Sequence, residues 1–266
     1  MHTDVNSLFA AIWQDYIKMT PSAAKIHQLL SKGAPIINDH IALRTFNIDK
    51  VNLSVLAKHF TSIGYVDCGD YKFEQKKLIA KHFEHPDPSQ PKVFISELLV
   101  EEFSPALQQT IKGFIEQIDV AATVADNFIY SGRHWQLDKA TYQALLAESE
   151  YAAWVAAIGY RANHFTVSIN DLPEFERIED VNQALKDAGF LLNASGGEIK
   201  GTPEVLLEQS STMADKVVVS FTDGDAEIPS CFYEFARRYP MDNGKLYTGF
   251  VAASADKIFE STNAMM

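Results

Sequence analysis

Two histidines stand in matching places in two similar stretches of this sequence, Asn38-Asp39-His40-Ile41-Ala42-Leu43-Arg44-Thr45-Phe46 and Ala162-Asn163-His164-Phe165-Thr166-Val167-Ser168-Ile169-Asn170. In each, polar or small residues alternate with bulky apolar ones. That is strand spacing, so each histidine opens a strand and lies on its less apolar face. A glutamate falls in a later strand-like segment after each: Glu97 in Lys92-Val93-Phe94-Ile95-Ser96-Glu97-Leu98, and Glu234 in Ser230-Cys231-Phe232-Tyr233-Glu234-Phe235. Two imidazoles and one carboxylate with open positions describe the facial triad of non-haem Fe(II) enzymes, and the same donors suit Zn or Mn. Three ligands need only one of the two glutamates, and the residue pattern leaves open which.

Arg44 lies four residues beyond His40 on the same strand face, with small Ala42 between. In an extended strand the two Cα atoms are about 13 Å apart. A metal at His40 and a guanidinium leaning in from Arg44 would hold the two ends of a dicarboxylic acid, since arginine matches a carboxylate bidentately. The residues beside the histidines and Glu234 on these faces are largely small, which predicts room for a ligand. His82-Phe83-Glu84-His85 is a weaker cluster, because its histidines fall on opposite faces of a strand. Cys68 and Cys231 read as small buried apolar residues. No Gly-x-Ser-x-Gly elbow, P-loop or dinucleotide-binding Gly-rich turn is present.

The elements that must position these residues repeat. After each histidine comes a helix, ending at Ile63-Gly64-Tyr65 in one copy and at Ala188-Gly189-Phe190 in the other. From histidine to glycine is 24 and 25 residues; from histidine to glutamate is 57 and 70, so the second copy carries longer loops. The predicted organisation is a single domain over 1–266: N-terminal helices in 1–33, a first βαβββ-like module in 34–103, a helical insertion in 104–160, and a second module with the C-terminal segment in 161–266. Two such units paired about a pseudo-twofold bring equivalent strands to one cavity, and with them His40, His164, Glu97 and Glu234.

Composition narrows the partners. The 266 residues carry 23 Lys+Arg and 35 Asp+Glu, a net charge of −12. This argues against nucleic acid and anionic membranes and leaves small molecules, which answer to local charge. Two cysteines are too few for a disulfide scaffold. The start, Met1-His2-Thr3-Asp4, lacks a signal-peptide pattern, and the most apolar stretch, Tyr151 to Tyr160, is about half a membrane span. A soluble, reduced, cytoplasmic protein is expected.

The segments around His40, Arg161-Ala162-Asn163-His164-Phe165-Thr166 and Cys231-Phe232-Tyr233-Glu234-Phe235 resemble a family first catalogued as a domain of unknown function. Its characterised members are 2-oxoadipate dioxygenase/decarboxylases. The resemblance covers most of the chain, and His-x-x-x-Arg is its most specific part. The family belongs to the vicinal oxygen chelate superfamily, which implies an α+β fold of paired, glyoxalase-like βαβββ modules. The resemblance selects Glu234 over Glu97 and implies Fe(II) held by His40, His164 and Glu234. It implies a 2-oxo dicarboxylate chelating the metal, Arg44 contacting that substrate, and O2 as co-substrate. The implied reaction converts 2-oxoadipate to 2-hydroxyglutarate and CO2, a step of lysine breakdown. Two other readings use the same scaffold: a Zn- or Mn-dependent glyoxalase-like isomerase or hydrolase, and a metal-free small-molecule binding protein.

Overall fold

The computed structural model describes residues 1–262. Two helices come first, α1 (Val5–Met19) and α2 (Pro21–Ser31). Asp4 caps α1 by accepting from the Ser7 amide, and Leu8, Phe9, Ile12 and Tyr16 form its buried face. Next come β1 (Asn38–Phe46), α3 (Leu53–Thr61), β2 (Val66–Phe73), β3 (Leu78–Glu84) and β4 (Lys92–Leu98). The middle of the chain is helical, with α4 (Pro105–Glu116), α5 (Lys139–Glu148) and α6 (Glu150–Ile158). The strand–helix–strands order then returns as β5 (Ala162–Ser168), α7 (Ile178–Asp187), β6 (Lys200–Thr202), β7 (Leu207–Ser211), β8 (Lys216–Phe221), β9 (Gly224–Pro229) and β10 (Phe232–Arg238). A short helix α8 (Ala252–Ile258) and a 3-10 turn (Phe259–Thr262) follow.

Eight strands form one sheet in the order β2-β3-β4-β1-β5-β10-β7-β6. β1 and β5 pair antiparallel at its centre, flanked by the parallel pairs β1–β4 and β5–β10. Each half therefore mirrors the other about the β1–β5 seam, and the histidine strands are neighbours. The longer second copy is explained by the β8–β9 hairpin, which leaves the main sheet and pairs only with itself. The strands expected across 190–222 thus divide between two sheets.

Helices cover the outer face of the central strands. Trp13 and Tyr16 of α1 meet Phe165 of β5 at ring-centroid distances of 5.1 and 4.9 Å, and Tyr233 of β10 joins the same cluster. Every residue of Tyr151–Ile158 in α6 is buried, which explains the most apolar stretch of the sequence as a core helix. α6 stops at Gly159, whose φ of +75° suits glycine. A side chain there would also collide with the backbone of Gly132 and Arg133. That tight crossing, with the Gly132–Tyr160 bridge, turns the chain into β5 and fixes where His164 falls. No helix among the described residues is long and apolar enough to cross a membrane.

Candidate metal centre

Strand register brings the site together. His40 on β1 stands beside Thr166 on β5, and Thr166 stands beside Glu234 on β10. The small threonine lets the two longer side chains meet above it. His164 lies one row along, beside Ala42 on one side and Phe232 on the other. One donor atom from each of His40, His164 and Glu234 lies within 4.8 Å of the other two, and all three residues are buried. His40 Nε2 is 3.4 Å from Glu234 Oε1, and His164 Nε2 is 3.3 Å from Glu234 Oε2. An ion with bonds of about 2.1 Å separates adjacent ligands by about 3.0–3.4 Å. Glu234 Oε2 is buried with no hydrogen-bond partner among the described residues, a costly state that a cation would relieve.

Neighbours orient all three groups. Asp39 Oδ1 accepts from His40 Nδ1 at 2.7 Å, and Asn163 Oδ1 accepts from His164 Nδ1 at 3.1 Å. With the proton held on Nδ1, each Nε2 keeps its lone pair available; Thr166 Oγ1 stands 3.1 Å from His40 Nε2 and donates to it, a bond that a metal at the common point would replace. Arg238 grips Asp39 from behind with Nε to Oδ2 at 2.6 Å and Nη2 to Oδ1 at 2.9 Å. Gln209 Nε2 donates to Glu234 Oε1 at 2.7 Å, leaving Oε2 free. Burial pushes His164 well below its ordinary pKa and also lowers His40, against the pull of Asp39, so both are neutral ligands. Burial alone would raise Asp39, but Arg238 and His40 outweigh it and hold the carboxylate ionised. Burial pushes the Glu234 carboxyl up to about 8, with the Gln209 hydrogen bond pulling the other way. These neutral imidazoles and one reluctant carboxylate fit a divalent cation, whose charge would keep Glu234 deprotonated.

The cavity over these donors is small, about 20 Å³. That holds an ion or one water and no dicarboxylic acid. The room predicted from the small residues of the strand faces is filled by Phe94 and by Phe250, Ile258 and Phe259 from the C-terminal part of the chain. Arg44 does not line this cavity. It forms the floor of an adjoining open cleft of about 250 Å³, and Phe259 lines both spaces. The Arg44 side chain is only 2% exposed, its guanidinium carbon 5.1, 4.9 and 5.4 Å from the rings of Tyr151, Trp154 and Phe259. Its Nη2 donates to Thr262 Oγ1 at 3.2 Å, while Nε and Nη1 have no partner among the described residues. α6 supplies two of the three rings around Arg44, Tyr151 and Trp154, and its Trp154 Nε1 also donates to the Ser230 carbonyl beside β10.

Glu97 is not in this cluster. Its neighbour on β1 is Thr45, one residue out of step with Arg44, so it faces away from the donors. There its Oε2 accepts from the Leu53 amide at 2.7 Å, satisfying the first amide of α3, while Asn52 caps the helix by accepting from the Val55 amide. His82 and Glu84 share a different corner with Cys68. Both His82 ring nitrogens are engaged, Nδ1 with Tyr71 Oη at 2.9 Å and Nε2 with Glu84 Oε1 at 3.0 Å. Cys68 is exposed at a bulge of the edge strand β2, contrary to its expected burial, whereas Cys231 is buried. Asp39, Asn163, Gln209 and Arg238 were not singled out in the sequence. For the first two a signal exists: each directly precedes its histidine, giving an acceptor–histidine pair in both copies.

Comparisons with known proteins agree with this architecture. A protein of Oryza sativa subsp. japonica named 2-oxoadipate dioxygenase/decarboxylase, chloroplastic/amyloplastic, is 37% identical over 93% of this chain and 76% of its own length. A crystal structure described as a putative hydrolase from Shewanella frigidimarina has a TM-score of 0.93 and 88% identity, covering 95% of this chain and 100% of that one. The Oryza sativa hydroxyglutarate synthase in complex with 2-oxoadipate has a TM-score of 0.89 and 36% identity, covering 97% of this chain and 91% of that one. The model of the 2-oxoadipate dioxygenase/decarboxylase family matches residues 2–245, and the chain belongs to that family.

Proposed function

We propose that this protein is an Fe(II)-dependent dioxygenase/decarboxylase of 2-oxo dicarboxylic acids, converting 2-oxoadipate and O2 to 2-hydroxyglutarate and CO2. The observation that carries the reading is the buried convergence of His40, His164 and Glu234, with an unpartnered carboxylate oxygen aimed among them, in a chain whose relatives are named for this reaction. The equation balances: one oxygen atom enters the carboxylate formed at the former keto carbon, and the other becomes the hydroxyl. Bound iron would supply O2 activation and polarisation of the keto acid.

The protein's own residues do the rest. His40 and His164 offer neutral nitrogens, kept in one tautomer by Asp39 and Asn163. Gln209 holds the Glu234 carboxylate in place. Phe94, Phe250, Ile258 and Phe259 exclude water from the reacting end. Arg44, with two unpartnered guanidinium nitrogens, receives the distal carboxylate. The cleft outside Arg44 is lined by Lys76 and Lys77 and also by Glu148 and Glu150, so the unpartnered Arg44 nitrogens rather than the lining as a whole select an anion. Cytoplasmic residence and the division into two βαβββ modules with a helical insertion are part of the same proposal.

The test is oxygen consumption by anaerobically Fe(II)-loaded protein on mixing with 2-oxoadipate, with 2-hydroxyglutarate and CO2 measured as products. A hydrolytic use of the same donors, the activity named for the Shewanella frigidimarina structure, consumes no oxygen. Absence of uptake with every 2-oxo acid offered would remove the dioxygenase reading.

A further inference from the structure

The metal donors and Arg44 line two different spaces in this structure. The metal cavity has room for about one water, the cleft over Arg44 has about 250 Å³, and Phe259 lines both. Its ring lies against the Arg44 guanidinium at 5.4 Å and edge-on to Phe73 at 5.4 Å. Phe259 begins a 3-10 turn at the end of a seven-residue helix. The turn is pinned on one side of the ring by Ser261, whose Oγ meets Ser211 Oγ at 2.8 Å and accepts from Asn193 Nδ2 at 2.9 Å. On the other side Glu260 is held by a largely buried ion pair with Lys76 Nζ at 2.7 Å, the two side chains 24% and 23% exposed. Thr262 meanwhile occupies one Arg44 nitrogen and donates to Glu150 Oε1 at 2.5 Å.

We propose that Phe259 is a gate between an outer cleft that receives the dicarboxylate and the inner metal cavity, and that the Lys76–Glu260 ion pair latches it shut. A substrate that spans from the metal to Arg44 passes this ring, because among the described residues Phe259 is the one that lines both spaces. With the ring aside, cleft and cavity join, and the Arg44 nitrogens that lack partners among the described residues become available to the far end of the substrate. With the ring back, the reacting end is dry. Thr262 holds the guanidinium in place between substrates through the bond that a carboxylate would take over. Phe259 is thus a positioning residue that admits and then encloses the substrate. The substrate part of this inference rests on the 2-oxo dicarboxylate reading above; the control of access to the metal does not.

The test uses the full chain loaded with Co(II) and four proteins: wild type, Phe259→Ala, Phe259→Leu and Glu260→Gln. Two rates are read: loss of Co(II) to excess EDTA, and anaerobic association of 2-oxoadipate followed by stopped-flow absorption. Glu260→Gln should raise both rates about threefold to fivefold, the population shift expected from losing one such ion pair. Phe259→Ala should raise both further, with Phe259→Leu in between, while leaving Co(II) stoichiometry at one; the same variant loaded with Fe(II) and given O2 should show a lower kcat. Pyruvate, being shorter, should gain less than 2-oxoadipate. Glu260→Gln keeps the size of a partly exposed side chain and decides the matter if Phe259→Ala does not fold. Faster Co(II) loss with no 2-oxo acid binding to any protein would keep the gate and remove the substrate reading. Unchanged Co(II) loss in folded Phe259→Ala and Glu260→Gln would overturn the gate.

Discussion

Asp39 stands between Arg238 and His40, and Asp39→Asn separates its two roles. Its Oδ1 lies 2.7 Å from His40 Nδ1 and 2.9 Å from Arg238 Nη2, and its Oδ2 lies 2.6 Å from Arg238 Nε. Asparagine keeps the size, removes the charge and places an NH2 group where an oxygen accepted. Arg238 retains the carbonyls of Tyr247 and Gly249, at 3.0 and 2.7 Å, but loses its counter-ion while buried. Breaking one side of a buried pair costs about 3–5 kcal/mol, and the two carbonyls place this case at the lower end. Loss of the carboxylate behind a ligating histidine weakens metal binding by about 10- to 100-fold. At saturating metal that is about 1.4–2.7 kcal/mol less ligand-linked stabilisation. The variant should therefore be less stable as the metal-free protein and should also gain less from metal. Urea denaturation of metal-free and Co(II)-loaded protein reads both effects, and a competition titration gives the affinity directly. If stability falls while Co(II) affinity is unchanged, Asp39 serves Arg238 alone and the reasoning about His40 is wrong.

Three further outcomes follow from the same geometry. Arg44→Met keeps much of the packing in the aromatic box and removes the charge; KM for 2-oxoadipate should rise about 10- to 100-fold, and KM for a monocarboxylic 2-oxo acid much less, so an equal rise would remove Arg44 from its role. In the metal-free protein Glu234 is raised by burial from 4.5 to about 8, so its contribution to stability is fully present below about pH 4.5 and is lost as pH rises through about 8; the two lowered histidines act in the opposite sense, below their ordinary pKa. Stability of metal-free protein should accordingly decline from pH 6.5 to 8.5, and Glu234→Gln should flatten that slope in denaturant titrations; an undiminished slope would place the titrating group elsewhere. Phe165→Ala, in the aromatic cluster behind His164 and 1% exposed, should cost about 3–5 kcal/mol of unfolding free energy, and a loss under 1 kcal/mol would show that α1 does not hold the central strands.

The parts of the site that the sequence disclosed are those set by strand alternation and by the order of elements. His40 and His164 open equivalent strands, and the β1–β5 seam puts them together because both strands start their modules. Glu97 looked equivalent to Glu234, yet which face a strand residue takes depends on register. Glu97 pairs with Thr45 whereas Glu234 pairs with Thr166, and one residue of offset turns the first to α3 and the second to the metal cavity. The small residues beside the histidines correctly mark an inward face but not an empty one. What fills it, Phe250, Ile258 and Phe259, comes from far along the chain, where helical spacing carries no sign of the destination. The Arg238–Asp39 clamp was hidden for the same reason: the two residues are 199 positions apart and meet only once β1, β5 and β10 are side by side.

The most direct measurement is anomalous diffraction at the iron edge from crystals loaded with Fe(II) under anaerobic conditions. The account predicts one strong peak about 2.0–2.2 Å from His40 Nε2, His164 Nε2 and a Glu234 carboxylate oxygen, with its remaining positions facing Phe259. A peak elsewhere, or none at these side chains in protein that has bound one equivalent of iron, would contradict it.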